Sequence, residues 1–185
     1  KERENVMITA QFQLEEKMFC VGVYHMPCMF FAPTSMAIHC ALSAQNIMKR
    51  AQGLPFVLAG DFNIKPNDPP YDLMVTGKLP TTFKPAPNPF EPLDKWQLTL
   101  DLPLVSAYKK FLGSEPQFTN NAQTKNNEPF VETLDYIFCS PNHWDVLDVE
   151  RLPAKDDTKT TYPSADQPSD HLLIAANLRL VQPVT

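Results

Sequence analysis

The sequence predicts an α/β fold, and three observations carry that expectation. Residues 56–60 (FVLAG), 133–138 (TLDYIF) and 172–180 (LLIAANLRL) are short apolar runs rich in β-favouring types, so they read as buried strands rather than helices. Between the early strands lies one segment of helical period, with Met36, Cys40, Ala44, Ile47 and Met48 on a single face. Each strand-like run carries an acidic residue at or near one end: Asp61 after the first, Asp135 inside the second, Asp170 before the third.

In chain order, 6–14 and 18–23 are expected to form two antiparallel strands joined at Glu15-Glu16-Lys17. Pro33-Thr34-Ser35 opens the helix, because proline suits a first helical turn, and Gly53 stops it. The FVLAG strand follows. From Asn67 to Leu93 prolines crowd (PNDPP, then KLPTTFKPAPNPFEP), and this stretch is expected to be an irregular surface excursion. A second polar loop, 153–167, leads into Pro168-Ser169-Asp170-His171 and the last strand. The 19 prolines against 5 glycines fit long loops of this kind.

Composition narrows the function classes. At 185 residues, with 43% hydrophobic and 20% charged residues, the chain is one domain or a piece of a larger one, with enough apolar residues for a real core. No run approaches the roughly 20 apolar residues of a membrane span, so a soluble protein is expected. A net charge of -5 argues against a nucleic-acid-coating surface, which needs a basic stripe. Clustered metal-binding carboxylates keep an acidic nucleic-acid enzyme open. Cys20, Cys28, Cys40 and Cys139 lack a Cys-x-x-Cys pair and are expected as reduced core thiols of an intracellular protein, with cytoplasm and mitochondrion both open. The charged start, KERENVMITAQFQL, reads as a strand rather than a secretory signal.

Carboxylates at strand ends are costly to bury unpaired. Gathered at one sheet edge they call for a cation, and hard oxygen donors suit Mg2+ or Mn2+. Asp61-Phe62-Asn63 alone is also an ordinary turn, Asp135 a strand residue bonded to an amide, and Asp170-His171 a cap. Their conjunction across three strand ends favours one shared site. His25, ending the second strand, is a further contributor, able to donate to a phosphate oxygen. His39 and His143 read as structural.

These segments, Tyr24-His25-Met26-Pro27, Gly60-Asp61-Phe62-Asn63, Ser106-Ala107-Tyr108, Glu115 to Asn120 (EPQFTN), Thr133 to Phe138 and Pro168 to His171, come in the order of the endonuclease/exonuclease/phosphatase superfamily, which the chain resembles. The Glu-Pro-x-Phe-Thr segment followed by Leu-Asp-Tyr-Ile-Phe is most similar to the carbon-catabolite-repressor-type deadenylase and nocturnin branch. The resemblance implies part of a four-layer α/β/β/α sandwich of the deoxyribonuclease-I-like type, with mostly antiparallel sheets and the site at one end. It implies that Asp61 activates water and contributes to the metal site, that Asn63 holds water and a phosphate oxygen, and that Asp170 completes the metal environment. His171 would donate to the scissile phosphate, Asp135 would orient His171, His25 would stabilise the phosphate or leaving oxygen, and Phe130 would stack on a base.

The implied activity is a magnesium-dependent 3′ to 5′ exoribonuclease. A phosphomonoesterase acting on a nucleotide or inositol phosphate, and a non-catalytic scaffold or ribonucleoprotein component that retains the fold, are the alternatives. RNA or a nucleotide is the implied substrate, and a protein partner is open. Superfamily members also carry an earlier half, with an Asn near its first strand and a Gln-Glu motif whose Glu is the principal metal ligand. Nothing before His25 supplies these, since Glu15 and Glu16 sit in a charged turn, so 1–185 is expected to be the C-terminal half of one domain, completed by an N-terminal half of the same protein.

Overall fold

The computed structural model describes residues 5–84, 97–125, 128–158 and 160–181. Its framework is a five-stranded sheet of order β1-β2-β3-β7-β4: β1 (Met7–Leu14), β2 (Lys17–Tyr24), β3 (Phe56–Asp61), β4 (Val105–Ser106) and β7 (Asp135–Cys139). The β1/β2 hairpin is antiparallel with its turn at Glu15, as expected. β2 and β3 are parallel and joined through helix α1 (Pro33–Ala51), whereas β7 runs antiparallel to both β3 and β4. Two further ladders are antiparallel: β5 (Asn120–Gln123) with β6 (Pro129–Glu132), and β8 (Trp144–Val149) with β9 (Ala176–Leu180). Antiparallel pairings predominate, and among the described residues no helix is long and apolar enough to cross a membrane.

Strand alternation splits the core in two. Cys20, Tyr24, Phe56, Leu58, Tyr136 and Phe138 face α1 and a second helix, α2 (Pro69–Thr76). Val57, Ala59, Ile137 and Cys139 face the other way, toward α3 (Ala107–Leu112), β8 and β9. Helix α1 buries Met36, Cys40, Ala44 and Ile47, the face the periodicity predicts, and carries Lys49 and Arg50 in its last turn, where they complement the helix dipole. It ends one residue earlier than the glycine signal suggests, because Gln52 itself takes the left-handed conformation (φ 51°).

Three expectations are corrected. The excursion from Asn67 contains helix α2 (Pro69–Thr76), with Tyr71, Leu73 and Met74 buried; Pro69 and Pro70 sit in its first turn, where no backbone donor is lost. The part of that stretch from 85 to 93 lies outside the described residues. Cys28 is exposed, not a core thiol, because the chain has left β2 by then; Cys20, Cys40 and Cys139 are buried. The last apolar run is a strand only over Ala176–Leu180, and Leu173 is 77% exposed.

Candidate active site

The site forms where β2, β3 and β7 end together. Because β2 and β3 are parallel, their C-terminal ends coincide, placing His25 just past β2 beside Asp61, the last residue of β3. Because β7 is antiparallel to β3, its first residue Asp135 pairs with Asp61. Residues in register share a face, so both carboxylates lie on one side of the sheet. His171 arrives from the far end of the chain, held by a bridge between Asn120 and His171 at the start of β5.

The turn after β3 is built around Asp61. Asn63 adopts φ 51°, a left-handed conformation that asparagine tolerates. Its backbone N–H donates to Asp61 Oδ1 (2.8 Å), and its side-chain amide donates to Asp61 Oδ2 (3.1 Å) and to the Met26 carbonyl (2.8 Å). One asparagine thereby ties the segment carrying His25 to the carboxylate. Beneath it, Phe62 packs edge-on against Phe138 at 5.3 Å, and the Tyr136 hydroxyl donates to the Ile64 carbonyl (2.8 Å), fixing the turn on the aromatic core.

His25 Nε2 lies 3.3 Å from Asp61 Oδ2, with its side chain mostly exposed. His171 is half-buried; its Nδ1 lies 2.8 Å from Asp135 Oδ2 and its Nε2 4.0 Å from Asp61 Oδ2. Burial raises the pKa of Asp61, the adjacent Asp135 raises it further, and the Asn63 N–H with the two histidines pulls it back. The hydrogen bond to Asp135 raises that of His171 against the opposing effect of burial, with the charges of Asp135, Asp61 and Asp170 adding to the rise. His171 is therefore biased toward the protonated imidazole, able to donate through Nε2.

Ligand atoms of Asp61, Asp135 and His171 lie within 4.8 Å of one another. A divalent cation fits the two carboxylates of this group, since facing carboxylates, one of them disfavoured as an anion by burial, are relieved by a nearby positive charge, and His171 is left as the proton donor. Asp170 follows a different geometry. Its backbone carbonyl accepts from the Asn121 N–H (2.9 Å), and its side chain is not in the three-residue cluster. Phe130, on β6, meets Phe30 with ring centroids 5.8 Å apart, and both rings line a cleft of about 230 Å³ with Pro33, Lys65 and Asp68. His39 is bonded to the Tyr24 hydroxyl (2.7 Å) and His143 to Ser140 (3.0 Å), both away from this cluster.

Two contributors have no role in the sequence reading. Thr119 bonds Asp135 directly (2.6 Å); it stands in the Glu115 to Asn120 segment, but a threonine before a strand is too common a signal to single out. Phe30 belongs to an apolar stretch that gives no hint of its ring meeting Phe130.

The polar groups converge where an apolar sheet face ends, an arrangement able to hold a cation, orient a water and donate a proton. The chain belongs to the endonuclease/exonuclease/phosphatase family, whose model matches residues 31–171. It is 31% identical over 169 residues to carbon catabolite repressor protein 4 homolog 1 of Arabidopsis thaliana, covering 77% of this chain and 26% of that one. It is 32% identical over 130 residues to 2',5'-phosphodiesterase 12 of Homo sapiens, covering 69% of this chain and 20% of that one. The chain thus spans about a quarter or less of the length of these curated relatives. The catalytic domain of human nocturnin, solved with bound sulfate, superposes with a TM-score of 0.67 at 22% identity, covering 97% of this chain and 54% of that one. ANGEL2, a 2',3'-cyclic phosphatase, superposes at 0.75 with 21% identity, covering 96% and 62%. At these identities the superpositions establish the fold.

Proposed function

We propose that the protein is a magnesium- or manganese-dependent phosphodiester hydrolase acting on RNA, a deadenylase-like 3′ to 5′ exoribonuclease. The observation that carries the reading is the convergence of His25, Asp61, Asn63, Asp135 and His171 at one sheet end, in a chain 31% identical to a carbon catabolite repressor protein 4 homolog. When bound, the cation neutralises charge on the phosphoryl oxygens as a Lewis acid. Asp61, fixed through both oxygens by Asn63, orients the attacking water and takes its proton. His171, whose protonated form the bond to Asp135 favours, donates through Nε2 to the scissile phosphate, and the exposed His25 supports the same charge from the β2 side. Asp170, beside His171 in the chain, adds negative charge to the metal environment.

The deciding experiment incubates the full-length protein with 5′-labelled oligoadenylate and, separately, with NADPH, with magnesium or with chelator. Stepwise shortening of the RNA that chelator abolishes supports the reading. Phosphate release from NADPH without RNA loss moves the protein to the phosphomonoesterases. Inactivity on both under every metal leaves the scaffold.

The Phe30/Phe130 cleft is the candidate base subsite. Stacking on an aromatic ring contributes ~1–3 kcal/mol per base. Phe130→Ala should therefore lower kcat/KM on oligoadenylate by about 5- to 150-fold. An unchanged kcat/KM would leave Phe130 as no more than the packing partner of Phe30.

The chain is the C-terminal half of one domain in this reading. Ile8, Phe12, Leu14 and Val23 are exposed on the sheet face that β8 and β9 cover elsewhere, and the known folds extend well beyond the matched region. A second apolar layer from the N-terminal half of the same protein fits that face. Residues 1–185 expressed alone should bind the dye ANS strongly, and the full-length protein weakly; equal weak binding by both would count against the missing layer.

A further inference from the structure

We propose that Thr119 is a positioning residue for the Asp135–His171 pair, an inference that rests on the phosphoester-hydrolase reading above. Thr119 is fully buried, and its hydroxyl accepts the backbone N–H groups of Leu134 (2.9 Å) and Asp135 (3.1 Å). A hydroxyl has one hydrogen and two acceptor positions. With both acceptor positions taken by amides, the hydrogen is left for Asp135 Oδ2, which lies 2.6 Å away. That same oxygen faces His171 Nδ1 at 2.8 Å. The hydroxyl therefore cannot rotate without losing three bonds, and it pins the one carboxylate oxygen that orients the imidazole.

The backbone of Thr119 holds the other partner of the pair. Its N–H donates to the Glu132 carbonyl (3.0 Å), and its carbonyl accepts the N–H of Leu172, the residue directly after His171 (2.7 Å). The neighbouring Asn121 N–H donates to the Asp170 carbonyl (2.9 Å), directly before His171. Carboxylate and imidazole are thus both set from Thr119 and the two residues after it: the carboxylate by the Thr119 side chain, the imidazole by the main chain on either side of His171. With Thr119 and His171 both on Oδ2, the geometry assigns Asp135 chiefly to holding His171. Buried, fully satisfied networks of this type fix a single arrangement.

The test compares Thr119→Val and Thr119→Ser in the full-length protein. Valine keeps the shape and removes the hydroxyl, and serine keeps the hydroxyl and removes the methyl. Small misplacements of a reacting group cost up to about 100-fold in rate, so T119V should lose roughly 10- to 100-fold in kcat with KM nearly unchanged, and T119S should stay close to wild type. Proton NMR at one fixed pH supplies a second readout. The hydrogen-bonded His171 Nδ1–H signal should persist in wild type and T119S and weaken or shift in T119V. Should T119V not fold, T119A removes the same hydroxyl without adding a methyl against the two amides. The proposal is overturned if T119V keeps wild-type kcat and the His171 signal, or if T119S is as damaged as T119V. If wild-type protein hydrolyses no phosphoester, the functional reading fails, and the His171 signal still decides whether Thr119 positions the ring.

Discussion

Asp61→Asn should abolish hydrolysis while leaving the fold intact, lowering kcat by about 10³-fold or more, within the range for loss of a positioned general base. Asparagine is isosteric and keeps an oxygen for the Asn63 N–H, so the turn after β3 survives. The same change should raise the melting temperature of the metal-free protein. Burial and Asp135 both disfavour the Asp61 anion, and the substitution removes a charge from the crowded pair. Magnesium should reverse the ranking, because a ligand that binds only the folded state stabilises in proportion to its affinity, and the variant has lost a principal oxygen donor. Thermal melts with and without magnesium, beside single-turnover rates, check both parts. A variant that hydrolyses at the wild-type rate removes Asp61 from the mechanism.

Gly60→Ala should disrupt the site by a different route, through the backbone. Gly60 has φ 141°, which side-chain-bearing residues rarely adopt, and a Cβ there would collide with the Tyr24 carbonyl on the neighbouring strand. The conformational strain costs about 1–3 kcal/mol and the clash about 1–3 kcal/mol more. Together they are a large share of the ~5–15 kcal/mol that stabilises a typical protein. Relief requires the ends of β2 and β3 to part, which moves His25 away from Asp61. Gly113→Ala is the control: its φ of 83° is also left-handed, but a Cβ there meets open space, so only the conformational cost applies. Chemical denaturation should show a clearly larger loss for G60A than for G113A, and equal losses would refute the steric account.

The site was legible wherever a residue type is expensive in its local context. Asp61 and Asp135 interrupt apolar runs, and the structure pairs them across β3 and β7. Asn63 and His25 were legible through their places in the same strand ends, and the structure bonds both into the segment around Asp61. Thr119 was not, because its importance lies in which groups its hydroxyl meets, and no local pattern encodes a contact sixteen residues away with Asp135. Helix α2 was hidden by its own start signal: Pro69-Pro70 breaks a helix interior but suits a first turn, and Tyr71, Leu73 and Met74 make too short a period to outweigh it. Cys28 was misplaced because an apolar neighbourhood in sequence does not say on which side of a strand end a side chain emerges.

Asp61 and Asp135 continue the same sheet face as Val57, Ala59 and Ile137, so grease and charge share one surface with no boundary between them. Any layer that shields the greasy part must end beside the carboxylates. In the proposed reading, one covering layer would therefore serve two ends, shielding the apolar surface and walling one side of the site.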